Sequence, residues 1–300
     1  MLRHRLISGI SIAIIILAAL FFLPAWAHLL VLLAVFAFAQ MEFGGMIKRS
    51  GHSYDFLPTT LCGLLYLVFS AAESPAFIDK YPSVAEWRIG SITPSGIILV
   101  LTPAILLARG VFRRKIKNAM ETFALSYAGF WYVAVLPAFI IRISYEWETY
   151  PGDATNYTGR IALMLFILLV KIGDTGAYFT GMRFGKRKLI PEISPKKTVE
   201  GLAGAYAYAL AVSLIVWGVA QRFGGKLCDL NYPLIHALIL PFLLTTTGVI
   251  GDLAESLIKR SVNIKDSGTH VPGMGGILDI LDSLLFSAPV AYLYFVAFLK

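Results

Sequence analysis

The sequence predicts an all-α fold, a polytopic integral membrane helical bundle of about nine transmembrane helices, and three observations carry that prediction. The 300 residues are 57% hydrophobic and 15% charged, with a mean hydropathy of +0.73, against about 45–50% apolar and about 25% charged in soluble chains. Apolar segments close to the ~20 residues that a bilayer demands recur along the whole chain. With a cytoplasmic N-terminus, 18 of the 26 Lys and Arg fall in loops on the inner side, seven on the outer side, and Lys171 inside a span. That is the positive-inside pattern.

The spans are expected at about 6–24, 25–43, 57–72, 92–109, 122–142, 160–181, 201–220, 233–254 and 277–298. Arg3, Arg5 and the run before Ala25-Trp26-Ala27 imitate a signal peptide, but about eighteen apolar residues exceed the usual ~7–15, so a retained helix is expected. The second span ends at Glu42, which reads as a solvated helix end. Between the fifth and sixth spans, Tyr145–Tyr157 carries Trp147, Tyr150, Glu146, Glu148 and Asp153, which suits an aromatic belt on the outer face. Cys62 and Cys228 offer neither metal spacing nor a plausible disulfide.

No soluble domain interrupts the pattern, so residues 1–300 read as one membrane domain. Residues 1–145 are mainly scaffold spans with charges at their ends. Residues 160–285 carry charges inside or against the spans and include the cytoplasmic loops 182–200 and 255–276, which assigns chemistry to this part. The net charge of +8 belongs to the cytoplasmic face. It points to anionic lipid heads or phosphates and away from nucleic acid, because no soluble basic domain exists to hold a duplex.

Four constellations stand out. In VKIGDTGAYFTG, Lys171, Asp174 and Tyr178 share one helical face; a structural ion pair and a site lining both explain them. The second is Ser194-Pro195-Lys196-Lys197-Thr198, a compact cluster of phosphate donors stiffened by proline, with Thr198 placed to cap the next helix. Gly181-x3-Gly185-Lys186 is not a P-loop: it is one residue short, lacks the following Ser/Thr and follows a membrane helix. The third is Asp252, Ser256 and Lys259 on one stripe, followed by Arg260, Lys265 and Asp266, with Glu255 as a surface partner of Lys259.

The fourth constellation is Pro272-Gly273-Met274-Gly275-Gly276 leading into Asp279 and Asp282. Its glycines let backbone N–H groups approach an anion at a helix N-terminus. A carboxylate kept deep in a membrane costs roughly 2.5–3.5 kcal/mol on insertion scales, so Asp252, Asp279 and Asp282 are read as working groups. Asp252 and Asp279 could flank Mg²⁺, which takes oxygen ligands and keeps waters and substrate phosphates. His270, without a partner at ligand spacing, reads as a surface residue.

At these residues the chain resembles the phosphatidate cytidylyltransferases, or CDP-diacylglycerol synthases. Their C-terminal signature is matched by Ser256-x-x-Lys259-Arg260, Lys265-Asp266-x-Gly268, Pro272-Gly273, Gly275-Gly276, Asp279 and Asp282. Asp174–Gly181 and Ser194–Gly201 match two further family elements. Met274 stands where the signature has His, and Ile280 where it has Arg. The resemblance implies condensation of CTP with phosphatidic acid to CDP-diacylglycerol and pyrophosphate with Mg²⁺, for phospholipid biosynthesis. The site would face the cytoplasm in a bacterial inner membrane, and a homodimer is compatible with it.

On this reading Asp252 and Asp279 bind the metal, and Asp282 orients it or binds a second cation. Lys196, Lys197, Lys259, Arg260 and Lys265 neutralise substrate charge. Ser194, Thr198 and Ser256 hydrogen-bond phosphate, and Asp174, Tyr178, Asp266, Gly275 and Gly276 complete the substrate site. A CDP-alcohol phosphotransferase is disfavoured by the missing D-G-x-x-A-R opening. A CTP-dependent polyprenol or lipid kinase would release CDP instead of pyrophosphate. A transporter using Lys171, Asp174, Asp252 and Asp279 as an ion path would show related repeats, which the sequence lacks.

Overall fold

The computed structural model describes residues 11, 14–114, 116–147, 157–268, 270–271 and 275–300. Among them, seven helices are long and apolar enough to cross a membrane, where nine spans are expected. The expected third span is the helix Phe56–Ala72, only 17 residues long. Residues 6–10, 12 and 13 of the expected first span lie outside the described residues, as do residues 148–156 of the outer loop.

The longer helices among the described residues are α1 (Ala25–Arg49), α2 (Phe56–Ala72), α3 (Pro94–Phe112), α4 (Ala119–Tyr145), α5 (Thr158–Phe184), α6 (Val199–Gln221), α7 (Leu234–Ser261) and α8 (Ile277–Phe298). Helix α3 starts with Pro94 at its first position, where a missing N–H costs nothing, and Thr93 Oγ1 accepts from Gly96 N at 3.3 Å. Helix α4 widens into a π turn at Trp131–Val135, just ahead of Pro137, whose ring cannot continue the normal bonding. The only sheets among the described residues are two small antiparallel hairpins. One of them, β1 (Lys188–Ile190) with β2 (Ser194–Thr198), joins α5 to α6, pairing Lys188 with Thr198 and Ile190 with Ser194.

The chain forms two compact units: Met1–Thr155 with Ser261–Ile280, and Asn156–Arg260 with Leu281–Lys300. In the N-terminal unit α1 to α4 bury an aromatic core that includes Phe43, Tyr54, Phe130 and Tyr132. Two of its carboxylates are paired within it. Glu73 accepts from Ser95 N at 2.6 Å and from Arg142 Nη2 at 3.3 Å, and Asp55 accepts from Arg109 Nε at 3.0 Å.

In the C-terminal unit α5 lies against α6 over small residues. A Cβ at Gly176 would stand 2.7 Å from Tyr208 Cβ and 2.8 Å from Gly204 O, so only glycine permits this approach. Helix α7 meets α8 in the same way: a Cβ at Gly251 would be 2.5 Å from Asp282 O. Helix α7 runs to Ser261, so Glu255–Ser261 is helical and the expected loop 255–276 begins only after it.

Candidate active site

In the C-terminal unit a cavity of about 390 Å³ opens among α5, the β hairpin, α6 and α7. Asp174, Asp252, Lys196, Lys197 and Thr198 give it a polar, mostly charged part; Ala177, Tyr178, Met182, Leu189, Leu202 and Val249 give it an apolar part. Such a volume suits a small ligand, and the mixed lining suits one with a charged head and a hydrocarbon body.

The hairpin delivers the basic groups. Strand β2 carries Lys196 and Lys197 into the lining and ends at Thr198, whose Oγ1 caps α6 by accepting from Gly201 N at 3.1 Å. Glu200, in the first turn of α6, accepts from Lys186 N at 3.0 Å and Arg187 N at 3.1 Å, and so ties the basic loop to the helix. Lys197 Nζ lies 2.8 Å from Asp252 Oδ2, and Ser256 Oγ is 3.5 Å from Asp252 Oδ1.

Beside this pair, Asp174 Oδ2 accepts from Ser283 Oγ at 2.9 Å and from Lys171 Nζ at 3.3 Å, while Lys171 Nζ also donates to Ser283 Oγ at 2.8 Å. Both readings of Lys171 and Asp174 therefore hold: they form an ion pair, and Asp174 lines the cavity. Asp282 is buried, with Lys171, Asp252 and Asp174 as its charged neighbours. Asp174 and Asp252 are thus partnered by ammonium and hydroxyl groups, donors that can turn from the carboxylate to a phosphate oxygen.

Asp279 belongs to the N-terminal unit and has a different setting. Its Oδ2 accepts three hydrogen bonds, from Gly276 N at 2.7 Å, Ser267 Oγ at 2.9 Å and Ser267 N at 3.0 Å. The contact to Gly276 is one half of a capping box at the start of α8, the third helical residue accepting from the N–H of the residue before the helix. Glu42 lies beside it and is 4% exposed, which corrects the expectation of a solvated helix end. Its Oε1 accepts from His270 Nδ1 at 2.7 Å and Ile277 N at 2.9 Å; its Oε2 accepts from Leu278 N at 2.8 Å and Ser267 Oγ at 3.2 Å. A helix N-terminus carries partial positive charge and unpaired N–H groups, and this is what makes the burial of Glu42 tolerable. His270 is exposed but anchored by Glu42, so it is not a lone surface residue.

These bonds alter the expected role of the glycines. The N–H groups of Gly276, Ile277 and Leu278 point at Asp279 and Glu42, and Gly275 N bonds Val271 O at 3.1 Å. They are occupied by protein acceptors, not held open for phosphate. Gly275 has φ +99°, Gly268 would bring a Cβ within 2.5 Å of Glu42 Oε1, and a Cβ on Gly276 would overlap Ser267 Oγ and Glu42 Oε2. Glycine at these three places is dictated by the buried carboxylates.

The remaining expected residues divide. Ser194 sits at the far end of β2, opposite Ile190, and is not among the cavity-lining residues. Lys259 contacts Glu255, which is wholly buried; the expectation of a surface partner fails because α7 turns that face inward. Arg260, Lys265 and Asp266 are exposed. Pro272, Gly273 and Met274 lie outside the described residues. Sequence reasoning missed Ser267 and Ser283, ordinary serines whose importance comes only from the carboxylates they join.

Among the described residues no group of three or more His, Cys, Asp or Glu stands close enough to hold an ion alone. Each unit offers one hard oxygen donor of its own, Asp252 lining the cavity of the C-terminal unit and Asp279 with Oδ2 fixed by three donors in the N-terminal unit, and carboxylates suit a hard cation that keeps substrate oxygens in its shell.

The comparisons with known proteins agree with the motif reading. Phosphatidate cytidylyltransferase of Bacillus subtilis is 31% identical over 291 residues, covering 97% of this chain and 96% of the relative. The enzyme of that name from Haemophilus influenzae is 29% identical over 98% of this chain and 99% of the relative, and that of Synechocystis 28% identical over 99% and 97%. The model of the cytidylyltransferase family matches residues 3–298, and with nearly the whole sequence matched this integral membrane chain belongs to that family.

Proposed function

We infer that the protein is a phosphatidate cytidylyltransferase, condensing CTP with phosphatidic acid to give CDP-diacylglycerol and pyrophosphate. The observation that carries this is the cavity of the C-terminal unit, where Lys196, Lys197 and Thr198 stand beside Asp174 and Asp252 and an apolar wall completes the lining. A lipid phosphate and a nucleoside triphosphate both bring anionic oxygens, and only the lipid brings hydrocarbon. A phosphate oxygen of phosphatidic acid bonds to the α-phosphorus of CTP, and the bond from that phosphorus to the oxygen bridging to the β-phosphate breaks. Pyrophosphate leaves with the electron pair.

In this reading Lys196 and Lys197 neutralise the phosphates that must approach one another, and Thr198 offers its hydroxyl at the same edge. Charge neutralisation of this kind usually contributes more to such transfers than any other single effect. Lys259, Arg260 and Lys265 are proposed to meet the triphosphate from the end of α7 and the following loop. Asp252 and Asp279 are proposed as Mg²⁺ ligands on the strength of the signature, with Asp282 as an orienting carboxylate. When bound, the ion would neutralise triphosphate oxygens. The Lys and Arg bias of the loops supports a site on the cytoplasmic face of the inner membrane.

The test is turnover of CTP labelled in the cytidine ring, with phosphatidic acid and Mg²⁺, by membranes containing the protein. Label is expected in chloroform-soluble lipid with one pyrophosphate per lipid product. Release of CDP with phosphate on the lipid would replace this reading with a lipid kinase.

A further inference from the structure

Glu42 has no place in the signature, yet its carboxylate accepts from four donors in the N-terminal unit. It lies in α1, 225 to 236 residues from Ser267, His270, Ile277 and Leu278, all of which donate to it. Two of these donors are the first N–H groups of α8. A third, the Ser267 hydroxyl, has a single proton and stands 3.2 Å from Glu42 Oε2 and 2.9 Å from Asp279 Oδ2. The two carboxylates therefore share one hydroxyl and one helix terminus.

We propose that Glu42 is a positioning residue for Asp279, fixing the start of α8 and Ser267 so that the Asp279 carboxylate is held in one orientation toward its cation. The proposal rests on the reading of Asp279 as a Mg²⁺ ligand. The mechanism is physical: three donors immobilise Asp279 Oδ2, and Glu42 in turn immobilises the segments that supply them. Outer partners of this kind typically tune metal affinity by about 10–100-fold. Glu42→Gln keeps the shape but turns an NH₂ group toward donors that need an acceptor, so the terminus of α8 must shift.

The experiment uses the full chain in detergent. Mn²⁺ binding without substrates is read by electron paramagnetic resonance, and the Mg²⁺ dependence of turnover is measured alongside, for wild type, Glu42→Gln, Ser267→Ala and Asp279→Ala. Glu42→Gln is expected to weaken Mn²⁺ about tenfold or more, to raise half-activating Mg²⁺ in parallel, and to change KM for CTP at saturating metal by less than about threefold. Ser267→Ala, which leaves both α8 N–H bonds intact, should show a smaller shift in the same direction. It decides the matter if Glu42→Gln does not fold.

Wild-type Mn²⁺ affinity in Glu42→Gln, or in Ser267→Ala where the former is unfolded, would overturn the proposal if Asp279→Ala binds weakly. Wild-type affinity in Asp279→Ala would overturn the reading of Asp279 as ligand and the proposal with it.

Discussion

Two pairs of carboxylates, one pair in each unit, are held in opposite ways. In the N-terminal unit Glu42 and Asp279 are held by backbone N–H groups, a serine and a histidine, arranged with glycines that leave no room for a Cβ. In the C-terminal unit Asp174 and Asp252 face a cavity and are held by Lys171, Lys197 and serine hydroxyls. A backbone N–H cannot leave its place without unwinding a helix. A lysine ammonium on a flexible stem exchanges partners readily. The difference separates carboxylates fixed by the backbone from carboxylates whose lysine partners can turn to a phosphate oxygen.

The most severe test of this contrast is Glu42→Ala. Removing the carboxylate leaves the Ile277 and Leu278 N–H groups without their acceptor and frees Ser267 and His270 from it, and breaking a buried charged network typically costs about 3–5 kcal/mol. Thermal unfolding in detergent should shift far downward. A protein of unchanged stability would mean that water reaches these groups and that the network is not structural.

Asp252→Asn should act in the reverse sense. It keeps the shape, removes the negative charge beside Lys197, and leaves α7 intact, so stability should hardly move. Turnover is expected to fall by about 10²–10³, the usual loss when one preorganised charged or polar group is removed from a transfer site. Unfolding in place of this loss would erase the distinction between the units. Lys197→Met, which keeps the stem without the ammonium, should have a smaller effect. A rise in KM for CTP or phosphatidic acid of about tenfold is expected, equivalent to about 1.4 kcal/mol. Because Lys197 and Asp252 touch, the double variant should lose less than the two single effects combined.

Much of the second unit is legible in the sequence because its contacts are local. Thr198 caps the helix that begins at the next residue, Lys171 and Asp174 meet at a helical spacing of three, and Lys196 and Lys197 ride on one short strand. The first unit hides its network because the partners of Glu42 come from the other end of the chain, and no periodicity reports a contact over that distance. A charged residue two places before Gly44-Gly45 in an otherwise apolar stretch of helix is a weak sign of it. Glu255 fails for a related reason: spacing identifies Lys259 as its neighbour but not which face of α7 is buried. The N–H groups of Gly276, Ile277 and Leu278 are legible as anion donors. The anions they hold are side chains of the protein itself.

The smallest expected effect isolates the contrast within one turn of α1. At Gly44 a Cβ would stand 2.9 Å from Tyr54 Cε1 and 3.2 Å from Phe56 Cδ2, whereas at Gly45 no described atom lies within 4 Å. Both glycines follow Glu42 in the same helix, and alanine is favoured over glycine inside a helix by up to about 1 kcal/mol. Gly45→Ala should therefore leave turnover and Mn²⁺ binding at wild-type values and raise the unfolding temperature slightly. The gain is conformational, since the unfolded chain loses freedom while the folded contacts stay as they are. A loss of activity with folding retained would show that the helix turn after Glu42 must flex during turnover. The turn after Glu42 would then be a moving part of the N-terminal unit and not a fixed support for Asp279.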